Sequence, residues 1–311
     1  MATPDHETSA VTVAALLQRA GIVASEARLL LCHVLGVSRT WLITHDTDAV
    51  APADAARYAD LTARRAAGEP IAYLLGSREF MGHAFAVSPD VLIPRPETEL
   101  LVETGLAHVA GRTRPRILDL GTGSGAIAIS LALARPDAVV IATDQSEAAL
   151  AVARANARDL GAEVTFLAGD WWSALARLPF AGSSVAEPLS AETMPLAGST
   201  PADLPSQGAA PIFDLIVSNP PYIVAGDPHL IQGDLRFEPI DALTDHADGL
   251  AALRILAQGA AARLAPGGAV WFEHGYDQAA AVRDLLDQAG LRDARSLRDL
   301  AGIERITGAL L

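Results

Sequence analysis

The tetrapeptide Asn219-Pro220-Pro221-Tyr222 directly follows an apolar run, Phe213-Asp214-Leu215-Ile216-Val217-Ser218, that has the pattern of a buried strand. Proline lacks an N–H and fixes its own φ, and it pushes the residue before it into extended backbone. Two in succession end the strand in a stiff, donor-poor elbow that keeps its shape without a ligand. Carbonyls, the Asn219 amide and the Tyr222 ring then face one small volume, as needed to hold a planar group bearing an NH2 by its hydrogens and its face. That suggests chemistry on an amide or amino nitrogen. A rigid strand-end turn is the competing reading of a bare Pro-Pro-Tyr, so the rest of the chain has to decide.

A second constellation lies upstream. Ile117-Leu118-Asp119-Leu120 reads as a strand, Gly121-Thr122-Gly123-Ser124-Gly125 as a turn, and Ala126-Ile127-Ala128 as the start of a helix. Glycines there let backbone amides approach a ligand at the positive helix end. Gly121-x-Gly123-x-x-Ala126 also satisfies the dinucleotide fingerprint, so the loop by itself does not choose a cofactor. Asp119 weighs against a dinucleotide, because an acid two residues before the glycines repels a pyrophosphate but could hold an ammonium group, directly or through water. Asp144, at the end of the next strand, is placed to accept from both hydroxyls of a ribose. Asp170-Trp171, ending a third strand, could hold an adenine ring by its polar hydrogens and its face, with Trp172 as the competing aromatic.

These residues need a frame. Short apolar strands at Arg116–Leu120, Val139–Thr143, Val164–Leu167, Phe213–Ser218 and Ala269–Phe272, with two more near Ala294–Leu297 and Arg305–Thr307, alternate with helical stretches. Such alternation predicts an α/β fold, a mostly parallel sheet with helices on both faces, which binds ligands past its strand C-terminal ends near the topological switch. From Val11 to Gly68 the period is helical, with stops at Gly21, Gly36 and Gly68. From Ile71 to Ser88 it shifts toward strand, with Phe80 and Phe85 flanking a hairpin, and Ile93-Pro94-Arg95-Pro96 reads as a rigid connector into a helix opening near Glu97. The predicted organisation is a helical domain over 1–70, a hairpin and connector over 71–96, and an α/β domain over 97–311. Ala181–Pro211, with five prolines, no aromatic residue and only acidic charges, is predicted to be a flexible insertion.

Composition sets outer bounds. The chain has 311 residues, 50% of them hydrophobic, enough for one large core and a smaller one. A single cysteine, Cys32, excludes an internal disulfide and a cysteine-rich metal site, and no metal is expected. No apolar run reaches the roughly 18 residues of a membrane span, and the amino terminus has no signal-peptide pattern, so a soluble cytoplasmic protein is expected. A net charge of −14 weighs against binding a phosphate backbone, and no direct nucleic-acid partner is expected.

Taken together, the glycine loop, Asp144, Asp170-Trp171 and Asn219-Pro220-Pro221-Tyr222 resemble the class I S-adenosylmethionine-dependent methyltransferases, whose sheet is Rossmann-like. Gly68-Glu69-Pro70-Ile71-Ala72-Tyr73, Arg78-Glu79-Phe80, Leu92 to Glu99 and Arg236-Phe237-Glu238-Pro239 narrow this further. They look like the peptide chain release factor glutamine methyltransferases, the HemK-like family, over nearly the whole chain. That resemblance implies S-adenosylmethionine as cofactor and bacterial class 1 release factors as partners, docked with the help of the helical domain. The methyl acceptor would be the glutamine side-chain amide of a Gly-Gly-Gln motif, and a monomer is expected. By position, Asp119, Gly121, Thr122, Gly123, Ser124, Gly125, Asp144, Asp170 and Trp171, together with Asn219, would contact the cofactor. Asn219, Pro220, Pro221 and Tyr222 would hold the glutamine. Four alternatives stay open: a glutamine methyltransferase of a ribosomal protein, an amino-group methyltransferase of nucleic acid, a non-catalytic nucleotide-binding scaffold and, through the glycine loop alone, a dehydrogenase. His274, after the fifth strand, either lines the site or is a hydrogen-bonded structural histidine.

Overall fold

The computed structural model describes residues 11–178 and 212–311, and the predicted insertion over 181–211 lies outside them. The chain forms two compact units that divide between Gly76 and Ser77.

The first unit is helical: α1 (Val13–Arg19), α2 (Ala24–Leu35), α3 (Arg39–Thr44), α4 (Pro52–Ala66) and α5 (Ile71–Leu75). Local chemistry sets the ends. Thr12 and Ser38 cap α1 and α3 by accepting backbone N–H groups, Pro52 opens α4, and Gly36 closes α2 at φ 67°, where a side chain is strained. Val13, Leu30, Leu31, Leu42, Tyr58 and Leu74 pack into its core. The Tyr58 hydroxyl donates to the Ala27 carbonyl at 3.2 Å. Burial pushes that phenol up to about 12. The strand period expected from Ile71 is a correction: Ile71–Leu75 is a helix. Pro70 opens it and Gly76 closes it at φ 70°, and Leu74 packs with α2 and α4 rather than alternating across a sheet.

The second unit begins with a hairpin of β1 (Ser77–Phe80) and β2 (His83–Ala86). Its turn residues Met81 and Gly82 both have positive φ, 51° and 77°, the geometry that matches hairpin twist. Phe80 and Phe85 meet edge to face at 6.1 Å. The helix expected near Glu97 begins as a 3-10 turn, Pro96–Thr98, and becomes α6 at Glu99–Val109. There follow β3 (Arg116–Leu120), α7 (Ala126–Ala134), β4 (Val139–Asp144), α8 (Glu147–Leu160), β5 (Thr165–Ala168) and β6 (Phe213–Ser218). The remaining elements are α9 (Ile240–Leu243), α10 (Ala251–Ala260), β7 (Leu264–Glu273), α11 (Ala279–Gln288), β8 (Arg292–Arg298) and β9 (Glu304–Leu310).

Seven strands form one sheet in the order β5-β4-β3-β6-β7-β9-β8. The pairs from β5 to β7 are parallel and both pairs involving β9 are antiparallel. Side chains alternate across it as strand geometry requires. Ile117, Leu215, Val217 and Trp271 join α6, α7 and α8 in one core layer, while Leu118, Leu120, Ile216 and Phe272 join α10 and α11 in the other. This is the class I methyltransferase fold. The winding reverses between β3 and β6, so their C-terminal ends flank the crevice where such sheets bind ligands. No helix among the described residues is long and apolar enough to cross a membrane.

Candidate active site

A cavity of about 420 Å³ opens at the C-terminal ends of β3, β4 and β6, a volume suited to a nucleoside-sized ligand. Gly121, Thr122, Gly123, Ser124, Asp144, Asp170, Trp171, Asn219 and Pro221 line it. Asp119, Gly125, Pro220 and Tyr222, also singled out from the sequence, do not.

The glycine turn is built differently from a phosphate cradle. Gly121 and Thr122 both donate their N–H to the Thr143 carbonyl at 2.9 Å, Gly125 donates to the Thr122 carbonyl, and Gly123 donates to Asp144 Oδ2 at 2.9 Å. Those four amides are engaged within the protein. Gly121 and Gly125 sit at φ 74° and 83°, and a Cβ on Gly121 would stand 3.2 Å from the Trp171 ring. The glycines therefore provide a left-handed turn and close approach rather than open donors.

Asp119 lies beneath that turn, fully buried, with Oδ2 accepting the Thr122 hydroxyl at 2.7 Å and Oδ1 without a partner. Burial pushes its carboxyl up to about 7, opposed by the Thr122 hydroxyl and the Ala128 amide and reinforced by the charge of Asp144. It supports the wall instead of forming it. Asp144 reaches the cavity itself, its two oxygens accepting from Gly123 and, at 2.9 Å, from the Ser146 amide. Burial raises its pKa and those amides pull it back.

The two tryptophans separate. Trp171 lines the cavity with backbone in the left-handed region, φ 41°, a strained state for a bulky residue and one that concentrates at functional sites. Trp172 turns away: its indole donates to the Ile255 carbonyl at 2.9 Å, and the Arg263 guanidinium lies 4.7 Å from its ring. Asp170 is exposed at the cavity edge.

At the end of β6, Ser218 is buried and donates to the Leu120 carbonyl at 2.6 Å, tying the elbow to β3. The Asn219 side-chain amide donates to Thr98 Oγ1 at 3.3 Å. Tyr222 is held by its hydroxyl, 3.3 Å from Glu273 Oε1, and its main-chain carbonyl accepts from Gln278 at 3.0 Å. Burial, then the Glu273 charge, raise its phenol far above the usual range.

Two family models match the sequence, one described as PrmC N-terminal domain over residues 12–76 and one as methyltransferase domain over 113–185. A release factor glutamine methyltransferase of Bordetella pertussis is 58% identical over 296 residues, 95% of this chain and 98% of that one. Its counterpart in Burkholderia pseudomallei is 52% identical over 309 residues, 97% of each. The chain belongs to the release factor glutamine methyltransferase family. Among solved structures, a protein-(glutamine-N5) methyltransferase (release factor-specific) of Alicyclobacillus acidocaldarius is 30% identical, with a TM-score of 0.40, over 73% of this chain and 98% of that one.

Several residues of this family member position the site without having been assigned a role from sequence. Asn156 on α8 is buried. It exchanges hydrogen bonds with the Ala86 backbone, at 2.7 and 3.0 Å, and donates to the Ser124 carbonyl at 2.9 Å, clasping hairpin and glycine turn together. Glu238 has a fully buried side chain that pairs with Arg95 and accepts the Ile93 N–H at 3.0 Å. It joins the proline connector to the segment after the elbow. Arg95 and Glu238 belong to two of the family motifs, but a contact between residues 143 positions apart has no sequence-local signal. His274 is a structural histidine. It is buried, outside the cavity lining, and bonded on both nitrogens, to the Gly275 carbonyl and to Thr307 Oγ1 at 2.7 Å.

Proposed function

We infer that the protein transfers the methyl group of S-adenosylmethionine to the side-chain amide nitrogen of the glutamine in the Gly-Gly-Gln motif of bacterial peptide chain release factors. The observation that carries this reading is that the Asn219 elbow borders the same cavity as Asp144 and Trp171. Membership of the release factor glutamine methyltransferase family supports the acceptor. The cofactor is supported by the turn: four of its amides are engaged within the protein, so a pyrophosphate would lose donors that it needs there. A nucleoside without phosphate fits instead, its ribose on Asp144 and its base along Trp171.

When bound, S-adenosylmethionine supplies an electrophilic methyl on a sulfonium, with a neutral thioether as leaving group. The chain contributes orientation and electrostatics. An amide nitrogen is a poor nucleophile because its lone pair is delocalised into the carbonyl. Asn219 Oδ1 and the Pro220 carbonyl accept the two amide hydrogens, aim the nitrogen in line with the methyl and stabilise the positive charge that develops. Tyr222, fixed by Glu273, restricts rotation of the amide plane. With the cofactor bound, formation of the N–C bond would be matched by loss of its C–S bond, and the protonated product amide would release its proton to water. Such positioning accounts for roughly 7–11 kcal/mol of a bimolecular barrier. The helical unit is assigned to docking the release factor.

The test is methyl-labelled S-adenosylmethionine offered with a bacterial release factor, its Gly-Gly-Gln glutamine-to-alanine variant, ribosomal proteins and duplex DNA. Label on the intact release factor alone is expected. Label on a ribosomal protein or on DNA moves the acceptor, and no label anywhere sinks the transferase reading. Asn219→Ala should lower turnover by about 10²–10³, by analogy with losing one preorganised polar partner.

A further inference from the structure

The elbow that carries Asn219 is short of backbone donors, because neither of its prolines has an N–H. Its placement therefore depends on what grips its two ends. At the near end Ser218 is tied to the Leu120 carbonyl. At the far end the peptide that joins Tyr222 to Ile223 is held on both sides. Its N–H donates to the Leu243 carbonyl at 2.9 Å, and its carbonyl accepts from Gln278.

Gln278 stands behind the elbow, buried and outside the cavity lining, where α11 begins. Its carboxamide bonds to three separate stretches of chain. Nε2 donates to the Tyr222 carbonyl at 3.0 Å and to the Gly249 carbonyl at 3.2 Å, while Oε1 accepts the Gly275 N–H at 2.8 Å. Two of these partners can only accept and the third can only donate, so a single orientation of the side chain satisfies all of them and no ionisation state enters. Glycines let the groups meet. Gly249 sits at φ 78°, and a Cβ there would stand 2.5 Å from the Tyr222 carbonyl oxygen and 2.7 Å from Gln278 Nε2. Asp245 fixes the loop that presents Gly249, accepting the amides of Ala247, Gly249 and Ala251.

We propose that Gln278 is a positioning residue for methyl transfer: by holding the Tyr222 carbonyl it sets the tilt of the elbow that presents Asn219 Oδ1 and the Pro220 carbonyl to the acceptor amide. One NH2 serves two carbonyls. Without it, two buried acceptors face each other with no donor between them, and the Tyr222 peptide must turn to find another partner. The prolines before it are stiff, so they pass that turn on to Pro220 and Asn219 rather than absorb it. A displacement of about 1 Å at a reacting group can cost about 10²-fold in rate. The proposal rests on the transferase reading above, but its core, the grip on the elbow, can be read without turnover.

Gln278→Met keeps the length of the side chain and removes all three bonds. The expected result is a fall in kcat of about 10- to 100-fold, while S-adenosylmethionine affinity changes by less than about threefold, since Asp144 and Trp171 do not lie on the elbow. Gln278→Glu keeps an oxygen for Gly275 but can serve at most one carbonyl, and only while protonated, so its kcat should stay within about threefold of that of Gln278→Met. A residue that mattered only as support for the start of α11 would recover wild-type kcat in Gln278→Glu. Gly249→Ala pushes the same Tyr222 carbonyl from the other side and should reproduce the loss. Combined with Gln278→Met, it should add little, because both act through one peptide.

Hydrogen exchange gives a readout independent of activity. The Ile223 amide belongs to the peptide that Gln278 holds, and its exchange should quicken by about tenfold or more in Gln278→Met and in Gly249→Ala. The Gly123 amide, bonded to Asp144 across the cavity, should exchange as in the wild type. Should Gln278→Met fail to fold, Gly249→Ala carries the same test. Wild-type kcat in these variants, a loss of cofactor affinity as large as the loss of kcat, a multiplicative double variant, or unchanged Ile223 exchange would overturn the proposal. A wild type inactive on every acceptor, yet with the exchange pattern as expected, would fault the transferase reading and leave the grip on the elbow intact.

Discussion

Asp119 lies beneath the glycine turn as a buried carboxyl, and the cost of charging it there is measurable. Burial raises it from 3.8 to about 7, about 3 units, and at 1.36 kcal/mol per unit that corresponds to about 4 kcal/mol between its two protonation states. The sign follows from proton binding. Between pH 4 and pH 7 the folded protein keeps this proton and the unfolded chain has lost it, so stability is highest below the unfolded value and falls as pH rises through the folded one. Asp119→Asn keeps an oxygen for the Thr122 hydroxyl and removes the titration. Clear of the isoelectric region near 4.9, between pH 5.5 and 8.5, about 2 kcal/mol of that decline remains. Over that range the variant should gain about 2 kcal/mol on the wild type. Both would be unfolded in urea without cofactor, in a Trp41→Phe background so that emission reports Trp171, Trp172 and Trp271 of the second unit. Other carboxyls, Asp144 among them, titrate in both proteins, so the difference isolates Asp119. A difference that stays constant within about 0.5 kcal/mol across the range would refute the reasoning.

Gly121→Ala puts a side chain at φ 74° and 3.2 Å from the Trp171 ring, and calorimetry should find S-adenosylmethionine binding weakened about tenfold. Asp144→Ala removes the acceptor of the Gly123 and Ser146 amides as well as the partner proposed for the ribose, and the same titration should show a loss of about 10- to 100-fold. Gly308→Ala tests the far side of the sheet. Its Cβ would fall 2.2 Å from the Trp271 ring and 2.4 Å from the Val270 carbonyl, which is backbone and cannot step aside. Thermal unfolding should show a loss of about 3 kcal/mol or more.

The parts of this protein that announce themselves in sequence are those whose chemistry is local. Buried parallel strands are short apolar runs, and Arg116–Leu120 and Phe213–Ser218 are legible with their bounds because a glycine turn ends the first and a pair of prolines follows the second. The glycine turn, Asp144 and the Asn219 elbow all fall at strand ends, and a parallel sheet gathers its strand ends on one edge whatever the packing details. The short helix Ile71–Leu75 escaped because its one turn of apolar residues also fits a buried strand, and packing against the helices before it decides the matter.

The tertiary structure alone decided which side chains touch. Trp171 and Trp172 are indistinguishable as neighbours in sequence, but the backbone turns one toward the cavity and the other toward α10. Asp119 was legible as an acid near the glycines but not as a buried one, because its burial depends on α7 closing over it. Thr98 meets Asn219 across 121 positions, and Tyr222 meets Glu273 across 51. A hydrogen bond depends on a few tenths of an ångström between atoms brought together by the whole sheet, so no local pattern records it. The sequence of this protein determined what chemistry its strand ends could carry. The fold determined which of those groups face the cavity, and which stand behind them and hold them in place.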